Sequence, residues 1–82
     1  MMRLIYTKIN KELIHLRNRL KELRARDGYN QTQLAKLAGI SRQTVSLIER
    51  KDFTPSVLTA LKIAKIFNEP VENIFIIEEE DL

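Results

Sequence analysis

Apolar side chains recur along this chain in blocks whose spacing changes from one segment to the next. Ile9, Leu13, Leu16, Leu20 and Leu23 fall three and four residues apart, which predicts one continuous amphipathic helix that Thr7 or Asn10 could cap. Ahead of it, Met1 to Tyr6 admits two readings: a strand with Met2, Leu4 and Tyr6 on one face, or the lead-in to that helix. Asp27 and Gly28 end the helix, and Tyr29 anchors the turn that follows. Leu34, Ala35 and Ala38 then line one face before Gly39, and Val45 and Ile48 line one face after Ser41, so two short helices are joined by a tight turn. Asn30 and Ser41 are natural N-caps, and Gly39 suits the left-handed conformation that closes a helix. Asn30 with Gln33 three residues later also makes a capping box.

The second half has a looser pattern. Arg50 to Pro55 reads as a loop with Phe53 as its plug into the core, and Ser56 caps a helix from Val57 to about Asn68. Its inner stripe would be Val57, Ala60, Leu61, Ala64 and Phe67. Leu58, Ile63 and Ile66 add more apolar surface than one buried face requires, which implies a second. Pro70 opens a last short helix with Val71, Ile74 and Phe75 inward, and Glu78 to Asp81 form an acidic tail left in solvent. Phe75 to Ile77 is β-prone, so Met2 to Tyr6 could pair antiparallel with about Ile74 to Glu78. The expected fold is therefore all-α with five helices, to which the terminal segments can add a small two-stranded sheet.

At 82 residues the chain makes one domain, near the size at which a single core only just suffices, so a partner subunit is expected. It has no cysteine, which excludes a disulfide framework and a thiolate metal site. No apolar run approaches the roughly 20 residues of a membrane span, and a cytoplasmic location is the default expectation. Charge is unevenly distributed: residues 1–51 carry twelve Lys or Arg against four acids, a net +8, while residues 52–82 carry two lysines against seven acids, a net −5. Such a division can be a solvated mixture of charges, or it can turn a basic face toward phosphates. Enzymatic readings find little support. His15 is the only histidine and has no partner at metal-ligand spacing, the two glycines form no phosphate cradle, and no nucleophile and base come together. No metal, cofactor or catalytic residue is expected.

Residues 31–49 read as a helix-turn-helix, an arrangement whose second helix can enter the DNA major groove while the first lies across the backbone. Beside that motif the phosphate reading of the charge becomes the stronger one. Ser41 leaves Arg42, Gln43 and Thr44 in the first turn of the second helix, and Gln43, Ser46, Leu47 and Arg50 share the side opposite Val45 and Ile48. Gln can bond adenine N6 and N7, Arg can bond guanine O6 and N7, and an apolar tip suits the thymine methyl. Arg42, Gln43, Ser46 and Leu47 are the expected base-reading set, with Thr44 a weaker member. Phosphate contacts are expected from Asn30, Arg50, Lys51 and Thr54, at a helix N-terminus and in the loop, with Lys36 on the surface. Glu49 would repel phosphate if it faced DNA, so it is expected to point inward.

Several stretches together resemble the phage-repressor and Cro-like (Xre-type) helix-turn-helix proteins: LKELR at 20–24, Gly28, NQTQLA at 30–35, AGISRQTVSLIE at 38–49, and TPS followed by LKIAKIF at 61–67. The resemblance implies a lambda-repressor-like domain over residues 17–75, with residues 1–16 as an N-terminal extension and 76–82 as an acidic tail. It implies base contacts at the positions of Arg42, Gln43 and Leu47, a backbone-contacting glutamine at Gln31, and an ion pair between Arg24 and Glu49. Where the family often has glycine after the recognition helix, this chain has Lys51 and then Asp52, so a left-handed Lys51 would be strained by about 1 kcal/mol or more.

The expected activity is sequence-specific binding of double-stranded DNA by a transcriptional regulator. A homodimer is expected because one short recognition helix reads too few base pairs to be selective, whereas two about 34 Å apart would read a palindromic operator. Repression is the expected direction, since a single domain can block a promoter by occupying it. The rival readings are an antitoxin that binds a toxin protein, and an adaptor on the same fold that has lost DNA binding.

Overall fold

Helices this short depend on how their ends are closed, because each end leaves four backbone groups without an internal partner. The computed structural model describes residues 16–79 and Leu82. In chain order these form β1 (Arg17–Asn18), α1 (Leu20–Asp27), α2 (Gln31–Ala38), α3 (Arg42–Glu49), α4 (Val57–Phe67), a 3-10 turn (Val71–Asn73) and β2 (Phe75–Ile76). Asn30, Ser41 and Ser56 each cap the following helix by accepting a backbone N–H, and both halves of the Asn30/Gln33 capping box are made. Gly28 and Gly39 close α1 and α2 in the left-handed conformation, and Asn68 does the same for α4.

The core takes Leu20 and Leu23 from α1, Leu34, Ala35 and Ala38 from α2, Val45 and Ile48 from α3, Ile63 and Phe67 from α4, and Ile74 and Phe75 from the last segment. Tyr29 is half-buried with its ring 6.2 Å from that of Phe67, so it anchors the turn as expected. Arg26 holds the end of α4: its guanidinium donates to the Phe67 carbonyl at 2.8 Å and pairs with Asp27 and Glu69. Arg19 similarly pairs with Glu22 and donates to the Asn73 carbonyl. Hydrogen bonds from these arginines hold the Glu22, Asp27 and Glu69 carboxyls below the ordinary carboxylate range.

Several expectations are corrected. The described residues contain four α-helices, not five: the last predicted helix is only the 3-10 turn, because the chain has three residues between Pro70 and Ile74 before Phe75 enters a strand. The helix expected to run from Ile9 to Leu23 does not pass through Arg17 and Asn18. These pair antiparallel with Ile76 and Phe75, and the Asn18 side chain takes the Leu20 N–H that opens α1. The pairing of Phe75 and Ile76 was thus expected, but with Met2 to Tyr6, which lie outside the described residues along with Thr7 and Asn10. α4 is rotated from the predicted stripe: Ile63 is fully buried, whereas Val57 and Leu61 are 77% and 53% exposed. Phe53 is exposed and does not plug the core, and Glu78 pairs with Arg17 at 2.7 Å instead of trailing into solvent.

Candidate nucleic-acid interface

α3 has one apolar edge, Val45 and Ile48, and both are essentially without exposure. Burying that edge turns the opposite side outward, because residues three and four apart share a helix face. Arg42, Gln43 and Arg50 are exposed, and Ser46 and Leu47 are half-buried. Thr44 is also half-buried, and its hydroxyl lies 2.8 Å from that of Ser41, so it belongs to the cap more than to the outer face.

A polar network beneath this face sets the attitude of α3. Arg24 donates through Nε and Nη2 to the two Glu49 carboxylate oxygens, at 2.5 and 3.0 Å, and through Nη1 to the Tyr29 carbonyl at 3.2 Å. The two side chains keep only 14% and 9% of their exposure. Gln31 joins the pair to the outer face: its Nε2 donates to Glu49 at 3.1 Å and its Oε1 accepts from Arg42 at 3.2 Å. Glu49 therefore faces inward as expected, where three donor groups meet its charge and the recognition helix shows no acid on its outer side.

The phosphate candidates fall into two groups. Asn30 and Gln31 stand at the start of α2, where Asn30 is exposed but its Oδ1 is engaged by Gln33 N–H. Arg50, Lys51 and Thr54 are exposed beyond the other end of α3. Lys51 adopts the left-handed conformation with φ 67°, so the strain anticipated for a lysine at this glycine-favouring position is present. Asp52 lies 3.8 Å from Arg50 and offsets part of that charge. Thr54 also borders an apolar groove lined by Leu16, Val57 and Leu61. Lys36 is exposed on α2.

Sequence reasoning missed Asn18, whose Nδ2 donates to the Ile48 carbonyl at 2.9 Å across thirty residues of chain. The available signal was an asparagine two positions ahead of Leu20, a capping residue in the middle of an apparently continuous helical stripe.

Two short helices at a capped tight turn, with the second buried on one edge and open on the other, define a helix-turn-helix protein. The comparison with known proteins agrees: the HTH_3 family, described as helix-turn-helix, matches residues 20–74. The chain belongs to this Xre/Cro-like helix-turn-helix family, a class of DNA-binding transcriptional regulators. It is 50% identical over 66 residues to the HTH-type transcriptional regulator YgzD of Bacillus subtilis, spanning 80% of this chain and all of that protein. It is 43% identical over 67 residues to an HTH-type transcriptional regulator of Archaeoglobus fulgidus, spanning 82% of this chain and 94% of the relative. Among solved structures, the restriction-modification controller protein C.AhdI from Aeromonas hydrophila superposes with a TM-score of 0.63 at 34% identity, over 67% of this chain and 83% of that one. No helix among the described residues is long and apolar enough to cross a membrane.

Proposed function

We propose that this chain is a sequence-specific repressor that reads a palindromic operator in double-stranded DNA as a homodimer. The observation that carries the reading is the outer side of α3, open to solvent while Val45 and Ile48 beneath it are buried. Arg42, Gln43, Ser46 and Leu47 meet base edges, and Thr44 contributes less because its hydroxyl is committed to the cap. Asn30 and Gln31 offer phosphate the N-terminus of α2, while Arg50, Lys51 and Thr54 serve it from the loop.

The dimer reading is supported by exposed apolar surface on α4 and just after β2. Val57, Leu58, Leu61 and Ile77 are more than half exposed, and beside them lies a groove of about 270 Å³ lined by Leu16, Val57, Leu61, Val71 and Phe75. A contiguous patch of this kind marks an association surface. Selecting bound duplexes from a random library tests the whole reading. A palindrome with half-site centres about one helical turn apart is expected. Affinity is expected to fall with slope about −0.9 per phosphate contact in a log–log salt titration. A pool with no enriched motif, or affinity indifferent to salt, would be decisive against it.

A further inference from the structure

Asn18 stands outside the roles assigned above, yet three hydrogen bonds converge on its side chain. Its Nδ2 donates to the Ile48 carbonyl at 2.9 Å and to the Leu16 carbonyl at 3.2 Å, and its Oδ1 accepts from the Leu20 N–H at 3.1 Å. The backbone of Asn18 is paired with Phe75, itself buried in the core. One half-buried amide thus joins the sheet, the start of α1 and the last turn of α3.

The end of α3 is otherwise held by the buried Ile48, by the ties on Glu49, and by local bonds from the Arg50, Lys51 and Asp52 N–H groups, none of which reaches the sheet. The helix is eight residues long, has no basic side chain in its last turn, and passes through Arg50 at φ −82° before the left-handed Lys51. Its first turn is held by the Ser41 cap, and Glu49 is held by Arg24 and Gln31. The bond from Asn18 instead grips the main chain of the last turn, and so resists a change in the angle of the helix axis.

We propose that Asn18 is a positioning residue for DNA reading: by tying the C-terminal turn of α3 to the β1–β2 sheet, it sets the angle at which Arg42, Gln43, Ser46 and Leu47 meet base edges. This rests on the DNA-binding function proposed above. Hydrogen bonds to bases weaken steeply with misalignment, whereas attraction to phosphates is long-ranged and tolerant of it. Loss of the tie therefore lowers specific binding and spares non-specific binding.

Asn18→Ser separates this role from helix capping, because the hydroxyl can still accept the Leu20 N–H but is too short to span to Ile48. Ile74→Val, a trimmed core residue outside α3, serves as a control for lost stability. Affinities of the full chain for the duplex that it selects and for a scrambled duplex are compared well below the melting temperature of every variant. Asn18→Ser is expected to lower the specific-to-non-specific ratio about tenfold, the weight of one misaligned base contact, with an unchanged salt slope on the scrambled duplex. Ile74→Val is expected to keep the ratio within about twofold, because it removes one buried methyl group and leaves the hydrogen bonds of the Asn18 side chain in place. A wild-type chain that selects no duplex overturns the DNA-reading function itself. Selection by wild type with an unchanged ratio in Asn18→Ser, or an equal loss in Ile74→Val, overturns only the positioning role.

Discussion

Replacing Arg24 with alanine probes the network that holds the recognition helix. The substitution removes both hydrogen bonds to Glu49 and the one to the Tyr29 carbonyl, leaving Glu49 the Gln31 amide at 3.1 Å. Breaking a buried pair by deleting one member costs about 3–5 kcal/mol, whereas an exposed pair contributes about 0–1. At 14% and 9% side-chain exposure the pair lies nearer the buried limit without reaching it, which places the loss at about 2–3 kcal/mol. In a domain of this size each kcal/mol moves the melting midpoint by about 4–8 °C, so the variant is expected to melt at least about 8 °C lower. Urea denaturation of wild type, Arg24→Ala and the double variant Arg24→Met/Glu49→Leu measures the loss. The double variant is expected to recover most of it, because no charge is then left buried without a partner. A loss below about 1 kcal/mol in Arg24→Ala would mean that solvent screens the pair, and the idea that it stiffens α3 would go with it.

Other outcomes follow from the same geometry. Gln43→Ala is expected to relax preference at one base pair by about 1–3 kcal/mol with the fold intact, read by comparing selected duplexes; an unchanged motif would remove Gln43 from base reading. Leu61→Asp places a charge on a residue that is 53% exposed, so it is expected to leave folding intact while shifting the chain to monomer in sedimentation, and an unshifted dimer would exclude that face. Glu22, Asp27 and Glu69 have folded-state carboxyls held below their ordinary values by Arg19 and Arg26. Their contribution is therefore present above the unfolded-state values and is lost as pH falls through the folded-state ones, so the melting temperature is expected to hold near neutrality and fall below about pH 4.5. Arg26→Gln is expected to flatten that acid limb, and an identical pH profile in the variant would count against the coupling.

Features that depend on neighbouring residues were legible in the chain alone. The Asn30/Gln33 box, the Ser41 and Ser56 caps, the helix end at Gly28, the left-handed closure at Gly39, and the inward edge of Val45 and Ile48 all arise within a turn or two of sequence. The resemblance to relatives added the Arg24–Glu49 pair, whose members are twenty-five residues apart and whose meeting no local rule predicts.

Tertiary contacts decided the rest, and they did so where two local options were close in energy. Leu16, Leu20 and Leu23 have helical spacing, but the backbone of Arg17 and Asn18 gains partners from Phe75 and Ile76 more than fifty residues away, and the helix begins after them. α4 has apolar residues around most of its circumference, so periodicity could not choose its buried side; packing placed Ile63 in the core and left Val57 and Leu61 outside. The core closes without Phe53, which is 47% exposed. Residue types and their local order determine which helices form and where they stop, but the rotation of an evenly apolar helix and the pairing of distant strands depend on surfaces that exist only once the chain has collapsed.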